Sequence, residues 1–483
     1  MYLKKSYRHL MSAVIGIAML GTLIVPLRMA ALAAAESTIR DAVAPTDAVS
    51  ASDTFSGFGD VREDDWFYAD VMRLANEKIF NGYPDGNFYP EREITNAEFI
   101  KVIVTALGAA SELPMEELLF DGHWASGYIT LAHAAGIFTD EDIDAGMKPD
   151  APILRSEMIR MMARALEIKA SSDDVLPFED STDPYASALY REYIYRGYPT
   201  TSGTRISQGD SPAKRSEAAA IAGRVMDYRN DEYEYKKKVI LDNAEKYPLT
   251  HEFELSDLFY VLNREFISDF TMKTPFTYAE WVEIYREANV KYLEYFYASY
   301  LNCEYVKNSN TYRLYLDYEL DVDTLRKYHT DAEAAADLAV ASSVTPDMSD
   351  RDKVKALHDY LVLNCSYDYK NYSEGTITYD SRLAYGALCS KSAVCQGYTA
   401  AFNMMARRAG ITSEIVTGKS PGNDDTHAWN RVWIDGEVYY LDVTHDDPVP
   451  DQPGRVSYKY FMLTEDEMIA LGYLWKRGKQ TTV

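Results

Sequence analysis

The chain has 483 residues, 47% of them apolar and 26% charged. That is a globular composition, too long for one core, so about two to four domains are expected. The formal net charge of -26 excludes a general nucleic-acid binder, because phosphate backbones need clustered lysine and arginine.

Lys4, Lys5 and Arg8 precede the apolar run "LMSAVIGIAMLGTLIVPL", and small residues follow in "RMAALAAAES". A basic segment, a short apolar core and an Ala-x-Ala site predict a secretory signal peptide over residues 1–33, cleaved near Ala33. The run is short against the ~20 apolar residues of a spanning helix. No membrane span is expected after cleavage, and residues 34–54 read as a linker. An exported chain is permitted disulfides, yet its four cysteines, Cys303, Cys365, Cys389 and Cys395, are too few for a disulfide scaffold.

Three segments then repeat one pattern, over residues 55–110, 115–168 and 173–230. Trp66, Trp124 and Tyr185 hold the same place in each, as do Glu98, Glu157 and Glu217. Each unit reads as helix, turn-rich loop, helix. In "YPDGNFYP" Pro, Asp and Gly supply the turn. The stretches "ITNAEF" and "LRSEMI" open the second helix with Thr or Ser near its start and Glu in its first turn. One unit cannot bury its apolar face alone, so the three are expected to pack together as an all-α module.

These residues resemble S-layer homology repeats, known by an aromatic start, a "GYPDG-F-P" loop and a "TRAE"-like helix start. The resemblance implies a three-unit module docking on secondary cell-wall polysaccharide of Gram-positive bacteria, hence a cell-surface location. It assigns glycan contacts to Arg155, Arg215, Trp66 and Trp124. A planar guanidinium suits an anionic glycan, backed by the helix N-terminus. The first unit departs by carrying Asn96 in place of the arginine, and the third lacks a clear "DG-F-P" loop. A solvated surface charge is the bland reading of each arginine.

Residues 231–345 mix helical segments with a strand-like alternation, "TYRLYLDYEL", in which Tyr312, Leu314, Leu316, Tyr318 and Leu320 share one face. This reads as an α+β region without evident chemistry.

In residues 346–483, Ser349 is a good N-cap and Val354, Leu357 and Leu361 form a helical stripe, with His358 read as packing or surface. Cys395 stands at the start of a helix that ends at Gly410. Unpaired N–H groups and the helix dipole there stabilise a thiolate, the nucleophilic form; a buried structural cysteine is the alternative. Farther on, "HAWNRVWIDGEVYYLDVTHDDP" predicts a hairpin turning at Asp435-Gly436. Ile434 then faces Glu437, and continued pairing sets His427 opposite Thr444 and Trp429 opposite Asp442. His427 and Asp442 become diagonal neighbours, roughly 7–8 Å apart at the backbone. Asp442 can orient His427, and His427 can take the Cys395 proton.

These motifs, with "KVKALHDYLVLN", resemble the transglutaminase-like, papain-related superfamily, which uses Cys, His and Asp for acyl transfer through a thioester. The resemblance implies a papain-like α+β fold and catalytic residues Cys395, His427 and Asp442 acting on a peptide or protein; no cofactor is expected, and no metal, although some relatives hold calcium, because the acidic residues here lack a ligand spacing. Hydrolysis is favoured over cross-linking, and a catalytically idle surface protein is the alternative. The sequence departs where His445 replaces a common Trp and where Cys389, six residues before the nucleophile, offers either a gating disulfide or a buried thiol. Asp424, Asp425, Asp446 and Asp447 read as a solvated acidic loop, and "TGKS" lacks the glycine of a phosphate loop.

Overall fold

The computed structural model describes residues 57–109, 118–170, 177–200, 204–306, 309–452 and 454–475. The expected signal peptide and linker lie outside them. The chain divides into two compact units, residues 1–232 and 233–483. Among the described residues no helix is long and apolar enough to cross a membrane.

The first unit contains three helical pairs: α1 (Tyr68–Asn76) with α2 (Asn96–Ala106), α3 (Ser126–Ala134) with α5 (Arg155–Ala165), and α6 (Pro184–Arg191) with α7 (Arg215–Asn230); the short α4 (Asp140–Asp144) lies in the second loop. Three buried backbone amides join the pairs in a ring. Ile94 N–H donates to Ala213 O at 3.0 Å, Ala213 N–H to Ile153 O at 2.9 Å, and Ile153 N–H back to Ile94 O at 3.0 Å. The equivalent residues stand just before α2, α5 and α7, so the repeats close on one another.

The same closure caps those helices. The first amides of an α-helix lack an internal partner. Here Asn96 N–H reaches Ala151 O, Arg155 N–H reaches Ser211 O and Arg215 N–H reaches Arg92 O, each on another repeat. Only Thr95 gives its helix a side-chain cap, accepting from Glu98 N–H at 3.2 Å. Leu154 and Lys214 precede the other two, where Glu157 and Glu217 carboxylates accept the N-cap amides at 2.8 and 2.9 Å.

Arg155 and Arg215 do not face outward, and the helix ends behind them are already occupied. The Arg155 guanidinium is buried against Glu217, with Nη2 donating at 2.7 Å and Nε at 3.1 Å, and Nε also donates to Tyr198 at 2.8 Å. Arg215 is buried and donates to backbone carbonyls, Phe88 O at 2.9 Å and Asn81 O at 3.0 Å. The rings of Phe80, Tyr83 and Phe88 surround its cation at 4.3 to 4.8 Å, a cation–π cage. Asn96 fills the corresponding place at the first repeat by donating to Lys148 O and Ala151 O. All three side chains therefore staple one repeat to another. Trp66 and Trp124 remain 63% and 57% exposed.

The expected all-α module also holds a small sheet. Strands β1 (Tyr198–Pro199) and β2 (Arg205–Ile206) pair antiparallel in the third repeat, whose loop lacks the turn residues of the first.

The second unit opens with α8 (Glu232–Lys246), which starts at the unit boundary, then α9 (Glu252–Arg264), β3 (Asp269–Lys273), α10 (Tyr278–Lys291), β4 (Ala298–Val306) and β5 (Thr311–Tyr318). These strands form a sheet ordered β3-β5-β4, and the alternation in β5 buries Tyr312, Leu314 and Leu316 as expected. Helices α11 (Val322–Ser343) and α12 (Asp350–Asn364) follow, the latter capped by Ser349. The parallel pair β6 (Ser366–Tyr367) and β7 (Ser392–Ala393) leads to α13 (Cys395–Arg408). A sheet ordered β10-β9-β8-β11 completes the unit: β8 (Ser413–Ser420), β9 (Asn423–Ile434), β10 (Glu437–Leu441) and β11 (Leu474–Trp475).

Helix α13 is the core element, burying Tyr398, Phe402, Met404 and Met405 among others. Residues 231–345 are fastened to it by polar contacts, the innermost of them at a buried glutamate. Glu294, itself buried, accepts from Asn403 at 2.9 Å and Arg407 at 2.7 Å, and Arg408 bonds Asp337 at 2.6 Å.

Removing one partner of a buried ion pair strands the other charge, at about 3–5 kcal/mol. Arg155→Ala is expected to lower the unfolding transition of the first unit by that order in scanning calorimetry of the full chain, and Arg155→Lys to restore little because lysine lacks the fork.

Candidate functional site

Cys395 is the first residue of α13, preceded by Val394, which gives the helix no side-chain cap. The amides of its first turn thus face the thiol environment with the positive end of the dipole. This end of the helix is clamped. Val394 N–H donates to Ser381 O at 3.0 Å, and a Cβ on Gly397 would stand 2.6 Å from Ser381 O and 2.9 Å from Leu383 O. Only glycine admits so close an approach.

His427 comes from β9. The hairpin turns at Asp435 and Gly436, both at positive φ, and its register runs from Ile434 opposite Glu437 to Asn430 opposite Leu441. There the ladder stops, short of the expected Trp429–Asp442 and His427–Thr444 pairings. The chain instead winds into a helical turn, Val443–Asp446, capped by Asp442, whose Oδ1 accepts from His445 N–H at 3.1 Å. The departure still sets Asp442 Oδ2 2.7 Å from His427 Nε2. Cys395 lies close enough to the imidazole to add to the upward push on its pKa.

Asp442 has 0% exposure. Burial opposes its ionisation, but the His427 and His445 contacts outweigh it and hold the carboxyl well below the usual range. Burial likewise opposes a charged His427; Asp442 and then Cys395 overcome it and push the imidazole up to about 10. A histidine raised in this way adds stability that is fully present below its unfolded pKa, near 6.5, and lost as pH rises through about 10. The charged imidazole and carboxylate thus belong to the neutral range.

Two further groups share Asp442 and had no sequence signal for this role beyond the noted oddity of His445. Tyr473 O–H donates to Asp442 Oδ2 at 2.6 Å. Its single proton is thereby committed, so the 2.6 Å contact with His445 Nδ1 makes that nitrogen the donor. The His445 ring also stacks on His427 at 4.4 Å and 12°. His427, Asp442 and His445 bring ligand-type atoms within 4.8 Å of one another. Near-parallel stacked imidazoles cannot both aim an in-plane lone pair at one ion, so the trio suits hydrogen bonding better than chelation.

The other cysteines are free and protected. Burial pushes Cys365 up to about 12 and raises Cys303 and Cys389. The expected solvated acidic loop is not what Asp446 and Asp447 form, since both are buried. Asp446 accepts from Ser457 Oγ and Tyr460 N–H and lies 3.3 Å from the buried His358. Asp447 takes the Tyr398 hydroxyl on one oxygen, while its Oδ1 has no partner. Burial pushes this carboxyl up to about 7.

Residues 337–443 match the Transglutaminase-like superfamily, and residues 57–100 and 120–159 match the S-layer homology domain. A cellulosome-anchoring protein of Acetivibrio thermocellus is 30% identical over 131 residues, covering 26% of this chain and 29% of that protein. Cell surface glycoprotein 1 of the same organism is 29% identical over 162 residues, covering 30% of this chain and 7% of that protein. The chain therefore spans less than a third of each of these relatives. A solved TGase structure shares 16% identity over 34% of this chain and 49% of its own, with a TM-score of 0.23.

For an acid with a raised folded pKa, the burial penalty is absent below the unfolded value, grows as pH rises, and is complete above about 7. Asp447→Asn is expected to raise the melting temperature at pH 8 by several degrees, with the gain shrinking toward pH 4. Gly397→Ala is expected to lower stability by more than about 1 kcal/mol, seen as a lower denaturant midpoint.

Proposed function

We propose that this chain, which carries S-layer homology domains and a transglutaminase-like core domain, is a thiol acyl-transfer enzyme held at the bacterial cell surface. The observation that carries the reading is the junction of Cys395, at the uncapped start of α13, with His427 and the buried Asp442. Its preferred reaction is hydrolysis of peptide or side-chain amides; transfer to an amine would use the same thioester.

In this mechanism the Cys395 proton already resides on His427 in the neutral range, leaving a thiolate beside an imidazolium that Asp442 stabilises. The thiolate attacks the amide carbonyl, and the Cys395 backbone N–H supports the developing oxyanion. His427 then protonates the leaving amine, giving a thioester and a neutral imidazole. Water attacks the thioester while His427 takes its proton, and collapse returns the acid product and the thiol. Tyr473 and His445 fix Asp442, and Asp442 fixes the tautomer of His427.

The repeats would supply attachment to secondary cell-wall polysaccharide. Trp66 and Trp124 are exposed rings that could contact a glycan, while Arg155 and Arg215 would act by holding the loops between repeats.

At neutral pH iodoacetamide is expected to label Cys395 faster than Cys303, Cys365 or Cys389, read by peptide mass spectrometry. His427→Ala should slow that labelling at least about tenfold, and Asp442→Asn should cut turnover about 10²-fold or more. Equal labelling of all four thiols in the folded chain would sink the proposal. In a wall-pelleting assay, Trp66→Ala with Trp124→Ala should weaken attachment and leave Cys395 labelling unchanged.

A further inference from the structure

The region at residues 231–345, which shows no chemistry in its sequence, forms one wall of a groove that reaches the nucleophile's helix. The groove has a volume of about 600 Å³ and is lined by Leu293, Phe296, Tyr300 and Tyr318 on one side and by Tyr379, Leu383 and Gln396 on the other. Gln396 directly follows Cys395. The two walls are joined by Tyr379 O–H, which donates to Tyr297 O at 2.5 Å. From there the connection runs through Ser381 O to Val394 N–H, at 3.0 Å, one residue before the thiol.

The wall belonging to β4 has two features suited to an extended chain. In the order β3-β5-β4 this strand is an edge, and its outer side pairs with no strand among the described residues. Its register against β5 shifts between Ala298 and Tyr300, so a bulge at Ser299 turns the strand where it enters the groove. Tyr300 stands 72% exposed beside it. An open edge offers main-chain hydrogen bonds, and an aromatic-lined hollow offers one side-chain pocket. Arg382 and Glu319 also line the groove with opposite charges, which disfavours selection for a strongly charged segment.

We infer that this groove is the acyl-donor subsite: it takes an extended peptide along β4 and seats one bulky apolar or aromatic side chain between Phe296, Tyr300 and Leu383. The inference rests on the acyl-transfer reading for the catalytic step, but peptide capture does not need a reactive thiol. Ser299 and Tyr300 would then be specificity-determining residues.

The test separates capture from chemistry. The full chain carrying Cys395→Ala is titrated with fluorescein-labelled pentapeptides whose central residue is Phe, Leu, Gly, Lys or Glu. Phe and Leu peptides are expected to bind at least tenfold more tightly than the Gly and Glu peptides. Adding Ser299→Trp, which fills the groove, should erase that preference, and Tyr300→Ala should weaken it severalfold with an unchanged far-UV spectrum and melting temperature. In the active chain Ser299→Trp should raise KM for the Phe peptide and leave iodoacetamide labelling of Cys395 unaltered. Absence of side-chain preference, a preference indifferent to both substitutions, or saturable binding of chitotetraose in place of the peptides would overturn the inference. Preferential peptide binding with an unreactive Cys395 would uphold the groove and remove the enzymatic reading; a reactive Cys395 without peptide preference would do the reverse.

Discussion

Asp442 has no exposed surface, and a carboxylate in that position must be stabilised by its neighbours or lose its charge. Its neighbours provide that stabilisation: an imidazole on each of two elements, a tyrosine hydroxyl from near β11, and a backbone amide of its own helical turn. Because Cys395 also acts on one of those imidazoles, the needs of a buried anion fix the orientation of the histidine beside the thiol. The end of β10, the turn after it and the placement of Tyr473 all follow from housing this one charge.

The same logic explains how β9 and α13 meet. Asn430, buried on β9, donates to Thr399 O on α13 at 3.2 Å, and Thr399 Oγ1 returns to Cys395 O at 2.8 Å. Sheet and helix are thus tied one turn below the thiol. Glu294 adds a tie from outside the matched core by holding Asn403 and Arg407. A helix braced on several sides cannot drift far from His427, as the proposed acyl transfer would require of groups that must remain within hydrogen-bond reach.

Much of this was legible in the residues. Asp435-Gly436 set the hairpin and its register because only residues tolerant of positive φ turn in two steps. The helix beginning at Cys395 showed in the polar lead, the apolar stripe and Gly410. The His427–Asp442 contact was anticipated by extending the ladder, although the chain achieves it by leaving the ladder, since a capping aspartate starts a turn as readily as it ends a strand. Burial of Arg155 and Arg215 was not legible, because charge and motif say nothing about which repeat a side chain faces. Nor were Tyr473, the orphaned Asp447 oxygen or the groove beside Gln396, which depend on residues far apart in sequence and are joined only by tertiary packing.

The ring of amides at Ile94, Ile153 and Ala213 has a different kind of consequence. In an open array of repeats each unit touches only its neighbours, so units are added or lost at the ends and stability grows roughly as a sum. Here there are no ends. Each repeat lends a carbonyl to one neighbour and an amide to the other, and the second helix of each repeat starts on a carbonyl from another unit. Removing any one repeat would leave each of the other two with one unpaired group of the ring, so the number three is set by closure of the ring.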